Sequence, residues 1–176
     1  GFTARYYGDP KKNDLGNRED VDKVLAQIAG KPFTVQSVKK TQRRKNPAPP
    51  FITSSLQQEA SRKLNLTPKR TMMLAQQLYE GVELREEGSV GLITYMRTDS
   101  TNLSALALGT AKKFITENFG PEYSKPRQFK THSKGAQEAH EPIRPTFIEN
   151  TEIEGTAQEQ KLYNLIWKRT VASQMA

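Results

Sequence analysis

A proline-rich segment is the feature that most limits how this chain can fold. Residues 46–50 read Asn-Pro-Ala-Pro-Pro, which is a stiff, extended stretch with few backbone donors. Such a stretch separates folded units more readily than it joins them. We therefore expect one domain over residues 1–46 and a second over residues 47–176.

The first domain is predicted to be a strand, a helix and a second strand. Residues 2–7 favour a strand, and Asn17 can cap a helix that runs to about Ala29. Residues 33–38 then alternate apolar and polar side chains, as a strand does. This is too little apolar material for an independent fold. The basic run that contains Arg43 and Arg44 is either a solvated hinge or a phosphate contact.

The second domain is predicted to be mainly helical and to begin with two short helices. The second of them has Thr67 as its cap and Pro68 at its first position, and it runs to about Glu80. Two helices joined by a short turn form a helix-turn-helix pattern. Lys69 and Arg70 open the second helix, where DNA-reading helices carry contacts. An ordinary helical hairpin gives the same pattern.

Capping side chains mark three other helix starts. Thr53, Ser54 or Ser55 can cap the helix before the turn, with a possible capping box from Ser54 to Gln57 or from Ser55 to Gln58. Ser104 can cap a later helix. Thr156 and Glu159 form a full capping box for the last helix. Residues 82–90 carry turn signals and predict a hairpin. A helix-turn-helix followed by a hairpin is a winged-helix arrangement.

Composition narrows the classes of partner and site. The formal net charge of the 176 residues is +8, so a polyanion is the first partner to consider. There is no cysteine, which excludes disulfides and cysteine-bearing zinc sites. No apolar run approaches the length that spans a membrane. Because the sequence starts with Gly and ends in a helical pattern, we expect it to be a piece of a longer protein.

Residues 91–100 join an apolar run to a phenol and a guanidinium. Residues 92–96 are β-compatible, so a short strand leading into a helix start is predicted. Side chains two apart on a strand face the same side, which lets Tyr95 and Arg97 aim at one point. A nearby cation favours phenolate and stabilises charge on phosphoryl oxygens. The pair suits attack on a phosphodiester, although a lone strand tyrosine is more often a packing residue.

Two motifs in order resemble a known enzyme family. Residues 91–100, Gly-Leu-Ile-Thr-Tyr-Met-Arg-Thr-Asp-Ser, are similar to the active-site tyrosine motif of type IA DNA topoisomerases. Residues 137–146, Gln-Glu-Ala-His-Glu-Pro-Ile-Arg-Pro-Thr, resemble the family's histidine segment. Met96 after the tyrosine is typical of the bacterial topoisomerase I branch. The resemblance is firm from about residue 50 onward.

The resemblance implies a role for each matched side chain. Tyr95 would be the nucleophile and Arg97 the cation at the scissile phosphate. Asp99 would orient Arg97 or cap the following helix. His140 would donate to a phosphate oxygen or a base, because imidazole titrates near neutral pH. Arg144 would hold a neighbouring phosphate or form a structural salt bridge.

The resemblance also implies a fold. We expect a mainly α structure with a small β component, in which residues 47–176 form a winged-helix, catabolite-activator-like tyrosine domain. Residues 1–46 would be a partial strand-helix-strand piece of the family's β-rich arch domain. The remaining arch strands and the acidic Toprim domain would lie elsewhere in the same protein.

The implied activity is the relaxation of negatively supercoiled DNA without ATP, through a 5′-phosphotyrosine link to one strand. Magnesium would be bound in the full-length enzyme, outside this fragment, and the fragment alone would be inactive. The implied partners are single-stranded and negatively supercoiled DNA, in a bacterial cytoplasm and nucleoid, with no membrane. A non-catalytic winged-helix DNA-binding module is the alternative. A tyrosine recombinase fits less well, because no cluster of several Arg and His residues is evident.

Overall fold

The computed structural model describes residues 3, 15–43, 45–84, 88–129 and 140–176. The chain divides into two units, Gly1–Arg44 and Lys45–Ala176. In the first unit, helix α1 spans Arg18–Ile28, and the Asn17 side chain accepts a hydrogen bond from the Asp20 amide, as predicted. The strand predicted over residues 2–7 lies, except for Thr3, outside the described residues.

The strand predicted over residues 33–38 is wrong. Residues 31–43 have no regular secondary structure, and Phe33 and Val35 are about four-fifths exposed, at 79% and 81%. An alternating pattern becomes a strand only when a second strand offers hydrogen-bonding groups beside it. The described residues of this unit contain no such strand, so the apolar side chains have nothing to pack against.

The second unit is built around four α-helices in its described part. They are α2 (Thr53–Leu64), α3 (Pro68–Glu80), α4 (Ala105–Asn118) and α5 (Ala157–Ser173). A short 3-10 helix, Pro121–Tyr123, follows α4. Helices α2 and α3 pack on each other and on α5, and Asn65, in the left-handed conformation, ends α2 and turns the chain toward α3. The prediction of a mainly α structure with a small β component is confirmed.

Two strands form the predicted hairpin. β1 (Val82–Leu84) pairs antiparallel with β2 (Gly88–Val90), and Val82 lies opposite Val90. Gly81, which ends α3 with φ of +82°, allows the chain to turn directly into β1. A Cβ at this position would lie 1.9 Å from the Val90 carbonyl oxygen, so only glycine fits the approach.

The core of the second unit forms where the helices meet two loop segments. Its fully buried side chains come from α2, α3, α5 and the loops: Phe51, Leu56, Leu74, Ile93, Met96, Ile143, Leu162 and Ile166. A smaller cluster lies between α4 and α5 and contains Ile115, Ile148 and Val171. Trp167 packs against both clusters, and its indole nitrogen donates to the Ile148 carbonyl at 2.7 Å.

Residues 91–100 do not form the predicted strand. They follow β2 as an irregular segment, in which Ile93 makes an isolated bridge to Pro145. The Leu92 amide donates to the Leu78 carbonyl at 2.8 Å, and the Thr94 amide donates to the Arg144 carbonyl at 2.9 Å. The pairing stops at this one bridge, because the hydrogen bonds on either side of it go to other elements, and no regular ladder develops. In the described part of the chain, no helix is both long and apolar enough to cross a bilayer.

Candidate active site

The two sequence motifs lie side by side. The Thr146 amide donates to the Leu92 carbonyl at 3.0 Å, and the Thr94 hydroxyl donates to the Pro142 carbonyl at 2.6 Å. The Arg144 amide in turn donates to the Thr94 hydroxyl oxygen at 3.0 Å. Thr94 therefore fixes residues 91–100, the tyrosine segment, to residues 140–146, the histidine segment, although the two are far apart in sequence.

The start of α2 holds the other side of the tyrosine segment. The Thr53 amide donates to the Thr98 carbonyl at 3.0 Å, and the Thr53 hydroxyl donates to the Met96 carbonyl at 2.8 Å. The predicted capping by Thr53, Ser54 or Ser55 is wrong, because the N-cap of α2 is Ile52, which makes no side-chain cap hydrogen bond. The Ser55 hydroxyl instead accepts from the Ile52 amide at 3.0 Å. The polar side chains at this helix start are used to bind other parts of the chain.

Burial alternates along the segment even though it is not a strand. One set of side chains is buried, namely Met96, Thr98 and Ser100. The intervening set is exposed to solvent, namely Tyr95, Arg97 and Asp99. The backbone bends at Met96 and Arg97, so the alternation of burial is not that of a strand. Tyr95 and Arg97 are both exposed, and their aim at one point stays a prediction.

Tyr95 lies among aromatic rings at the surface. Its side chain is 40% exposed, and no hydrogen bond to its hydroxyl occurs in the described part of the chain. The Tyr79 ring lies edge-on to it, with centroids 5.4 Å apart, and the His140 ring lies 6.4 Å away. Tyr79 was not predicted as a site residue, because only the folding of α3 beside residues 91–100 brings this ring to the site.

The His140 side chain also lines a cleft of about 560 Å³. Its lining comes from the start of α2, the tyrosine segment and the histidine segment: Ile52, Thr53, Ser54, Gln57, Arg97, Thr98, Asp99 and His140. Arg97, Asp99 and His140 were predicted as site residues, and the structure brings them together. Ser54 and Gln57 were not predicted as site residues. Their polar character at a helix start was the available signal, but it also indicates capping.

An ion pair braces the histidine segment. Glu141 accepts from the Arg144 guanidinium and, at 2.8 Å, from the Ser104 amide. Burial acts to raise the pKa of Glu141, but the hydrogen bonds from Arg144 and Ser104 outweigh it and hold the pKa below its usual value. Arg144 also donates to the Pro145 carbonyl at 2.9 Å. Of the two roles considered for Arg144, the salt bridge is the one that the structure shows.

Comparison with known proteins places the chain in a family. A family model described as DNA topoisomerase matches residues 4–176. The chain belongs to this bacterial DNA topoisomerase family. It is also similar to the structure of full-length topoisomerase I from Thermotoga maritima, with 38% identity and a TM-score of 0.68. The match covers 95% of this chain and 26% of that one, so the chain spans about a quarter of the relative's length.

The other predicted site residues of this topoisomerase chain lie apart from the cleft lining. Lys69 and Arg70 are exposed in the first turn of α3, and the Arg70 guanidinium donates to the Gln158 side chain at 2.9 Å. Arg43 is exposed in the first unit, and Arg44 lies outside the described residues. These residues keep their predicted DNA-binding roles as untested expectations.

Two alternatives for Asp99 can be compared with the structure. Helix α4 is capped by Ser104, whose hydroxyl accepts from the Ala107 amide at 3.2 Å, so capping of α4 by Asp99 is wrong. In the described part of the topoisomerase chain, no ion pair joins Asp99 to Arg97. Asp99 lines the cleft together with Arg97 and His140.

The site of this topoisomerase chain contains few acidic ligands. Among the described residues, no group of three His, Asp or Glu side chains comes together as a metal ion would need. The described donor set at the cleft has one carboxylate, Asp99, and one imidazole, His140. This set does not fit a magnesium ion held by the described residues alone.

Proposed function

We propose that this chain is the catalytic-tyrosine part of a type IA DNA topoisomerase, which cleaves and reseals one DNA strand to relax negative supercoils without ATP. The observation that supports it is an exposed phenol, Tyr95, whose ring centroid lies 6.4 Å from that of His140, a residue that lines a cleft together with Arg97, in a chain of the DNA topoisomerase family. The family implies DNA as the substrate, and the site supplies a nucleophile together with groups that can bind phosphate.

The proposed chemistry is a reversible transesterification. The Tyr95 oxygen attacks a backbone phosphorus and loses its proton, while the bond from phosphorus to the 3′ oxygen breaks. The products are a tyrosine ester of the 5′ phosphate and a free 3′ hydroxyl. Attack by that hydroxyl restores the strand and releases Tyr95. Because the ester conserves the bond energy, resealing needs no ATP.

The exposed guanidinium of Arg97 has the central electrostatic role in this proposal. No ion pair to Arg97 occurs in the described part of the chain, so its donors can turn to the phosphate in the cleft. Negative charge grows on the phosphoryl oxygens in the transition state, and a fixed cation stabilises it there more than in the ground state. His140 adds a second donor at the same wall.

The contrast among the tyrosines supports Tyr95 as the nucleophile. Tyr163 is buried, and burial raises the pKa of its phenol to about 12, which disfavours the phenolate. Its hydroxyl donates to the Asn150 carbonyl at 2.6 Å, so the group is committed to the core. Tyr123 is 49% exposed but lies on the short 3-10 helix, and it has no described ring contact with His140, whereas Tyr95 does.

Magnesium belongs to the proposal only outside this chain. The described residues do not assemble an acidic metal site, and a Toprim domain of the full-length protein would supply it. When bound, the ion would neutralise charge on the DNA backbone near the break. We therefore expect the isolated chain not to relax a supercoiled plasmid in magnesium buffer. Full relaxation by the isolated chain would contradict the proposal that another domain binds the magnesium.

A non-catalytic DNA-binding module is the second candidate. It is favoured by the net charge of +8 and by the order of α2, α3, β1 and β2, which is that of a winged helix. Such a module would act in the same bacterial cytoplasm and nucleoid and contact the same DNA. It gives no reason for an exposed phenol beside Arg97 and His140, which is why we place it second.

The two candidates are separated by the Tyr95→Phe variant of the full-length protein. Labelled single-stranded oligonucleotide is incubated with each protein, the reaction is stopped with denaturant, and a covalent complex is sought on a denaturing gel. We expect the complex from wild type and from Tyr123→Phe, which keeps every residue of the cleft. We expect none from Tyr95→Phe, while its DNA binding persists. A covalent complex from Tyr95→Phe would place the nucleophile elsewhere, and none from wild type would favour the binding module.

A further inference from the structure

The ring of Tyr79 is the aromatic side chain in closest described contact with Tyr95, and no role has been assigned to it. The two rings lie at an interplanar angle of 68°, with centroids 5.4 Å apart, which is a favoured edge-to-face geometry. Tyr79 is itself 40% exposed. A ring that served only to fill the core would be expected to lie deeper.

The backbone fixes Tyr79 close to the tyrosine segment. Tyr79 lies in the last turn of α3, and the preceding residue, Leu78, accepts a hydrogen bond from the Leu92 amide at 2.8 Å. Gly91 approaches so closely that a Cβ there would lie 2.6 Å from the Tyr79 carbonyl oxygen. The end of α3 and the start of residues 91–100 are therefore tied together.

Helix α3 holds the backbone of Tyr79 rigidly. Leu74 and Leu78 on the same helix are 1% and 3% exposed, and α3 packs against both α2 and α5. Tyr95, by contrast, has no hydroxyl partner among the described residues and exposes much of its ring. A nucleophile without a hydrogen bond to fix its oxygen is positioned by whatever its ring touches.

We propose that Tyr79 is a positioning residue for Tyr95: its ring restricts the rotation of the Tyr95 side chain and holds the phenolic oxygen toward the cleft. This inference rests on the proposed function of Tyr95 as nucleophile. The contact that restricts Tyr95 is made by the ring of Tyr79, and the Tyr79 hydroxyl is not required. Displacing a reacting atom by about 1 Å can slow a reaction roughly a hundredfold. The loss of one of the two ring neighbours of Tyr95 can therefore lower the cleavage rate measurably.

The test measures cleavage separately from binding in the full-length protein. Single-turnover cleavage of a single-stranded oligonucleotide is followed at saturating protein, and the dissociation constant and thermal midpoint are measured for each variant. We expect Tyr79→Leu to slow cleavage by about tenfold with binding and midpoint near wild type. Tyr79→Phe should restore the wild-type rate. Tyr123→Leu, which removes an exposed ring elsewhere, should change none of the three.

Each other result overturns the positioning role. A wild-type rate in Tyr79→Leu means that the ring does not hold Tyr95. Equal slowing in Tyr79→Phe and Tyr79→Leu assigns the effect to the hydroxyl. Weaker binding with an unchanged saturated rate makes Tyr79 a DNA contact. If Tyr79→Leu unfolds, Tyr79→Met is measured against the same criteria. Loss of the covalent complex in Tyr95→Phe beside any of these results leaves the proposed function standing, so the two failures are distinguishable.

Discussion

Thr53 and Thr98 bind each other in both directions across the cleft wall. The Thr53 amide donates to the Thr98 carbonyl at 3.0 Å, and the Thr98 amide donates to the Thr53 hydroxyl oxygen at 2.9 Å. Since Thr98 lies between Arg97 and Asp99, this exchange couples the start of α2 to the backbone that presents both side chains. The geometry of the cleft thus depends on a residue that contacts no proposed reacting atom.

Replacing Thr53 by Val should loosen this connection without changing side-chain shape. The variant loses the hydroxyl that donates to Met96 and accepts from Thr98, which leaves two polar backbone groups unsatisfied. We expect a loss of about 1–3 kcal/mol in the free energy of unfolding. Denaturant unfolding measures it, and Thr53→Ser, which keeps the hydroxyl, is the control. Equal stability of Thr53→Val and wild type would show that water replaces these bonds at no cost.

Helix caps that use only neighbouring residues were predictable from the sequence. The hydroxyls of Thr67, Ser104 and Thr156 accept from amides three residues later, as the local pattern indicates. The start of α2 was not predictable in this way. Thr53 binds backbone groups more than forty residues along the chain, and no local rule identifies a partner at that separation.

Strands and ring contacts depended on distant residues in the same way. Residues 33–38 and 92–96 have strand-like composition, but a strand also needs a partner ladder, which the described structure does not give them. Tyr79 and Gln57 looked like ordinary helix residues. Only the packing of α2 and α3 brings them to the cleft and the Tyr95 ring. Tyr95, Arg97 and His140 could be predicted as site residues from the sequence, because the two motifs that contain them resemble a known family.

The Glu141–Arg144 pair should make stability depend on acid pH. The pKa of Glu141 is lowered on folding. Its contribution to the free energy of unfolding is therefore complete at pH values above the ordinary glutamate pKa of about 4.3, and it is lost as pH falls through the folded pKa. Glu141→Gln should therefore lower the free energy of unfolding by about 1–2 kcal/mol at neutral pH. The difference from wild type should shrink below pH ~4.

Thermal unfolding of both proteins between neutral and acid pH measures this difference. Glu154→Gln removes an exposed carboxylate from the same unit and serves as the control. A gap between wild type and Glu141→Gln that stays constant with pH would mean that the ion pair with Arg144 is not its source.

Binding of single-stranded DNA by this chain should weaken steeply with salt. The net charge is +8, and a protein that covers phosphates releases condensed counterions. We expect a linear fall of log affinity with log salt, and Lys69→Gln should reduce the slope by about 0.7 if Lys69 meets a phosphate. Lys23→Gln is the matched control, because Lys23 is already paired with Glu19 at 2.9 Å. Affinity that did not change with salt would assign binding to base stacking.

Arg97→Ala in the full-length protein should separate folding, binding and chemistry. The side chain is exposed and forms no ion pair within the described structure, so the thermal midpoint should change little. Binding should fall only slightly, because one of many phosphate contacts is lost. Cleavage should slow by roughly a hundredfold or more, since a cation that acts on transition-state charge affects the rate more than the affinity.

Arg97→Lys tests which property of the guanidinium matters. Lysine keeps the charge but loses the planar fork that binds two phosphate oxygens at once. A partial recovery of the cleavage rate, measured in the same single-turnover assay, is expected because charge alone supplies part of the stabilisation. If Arg97→Ala instead cleaved at the wild-type rate and failed to bind, Arg97 would be a binding residue.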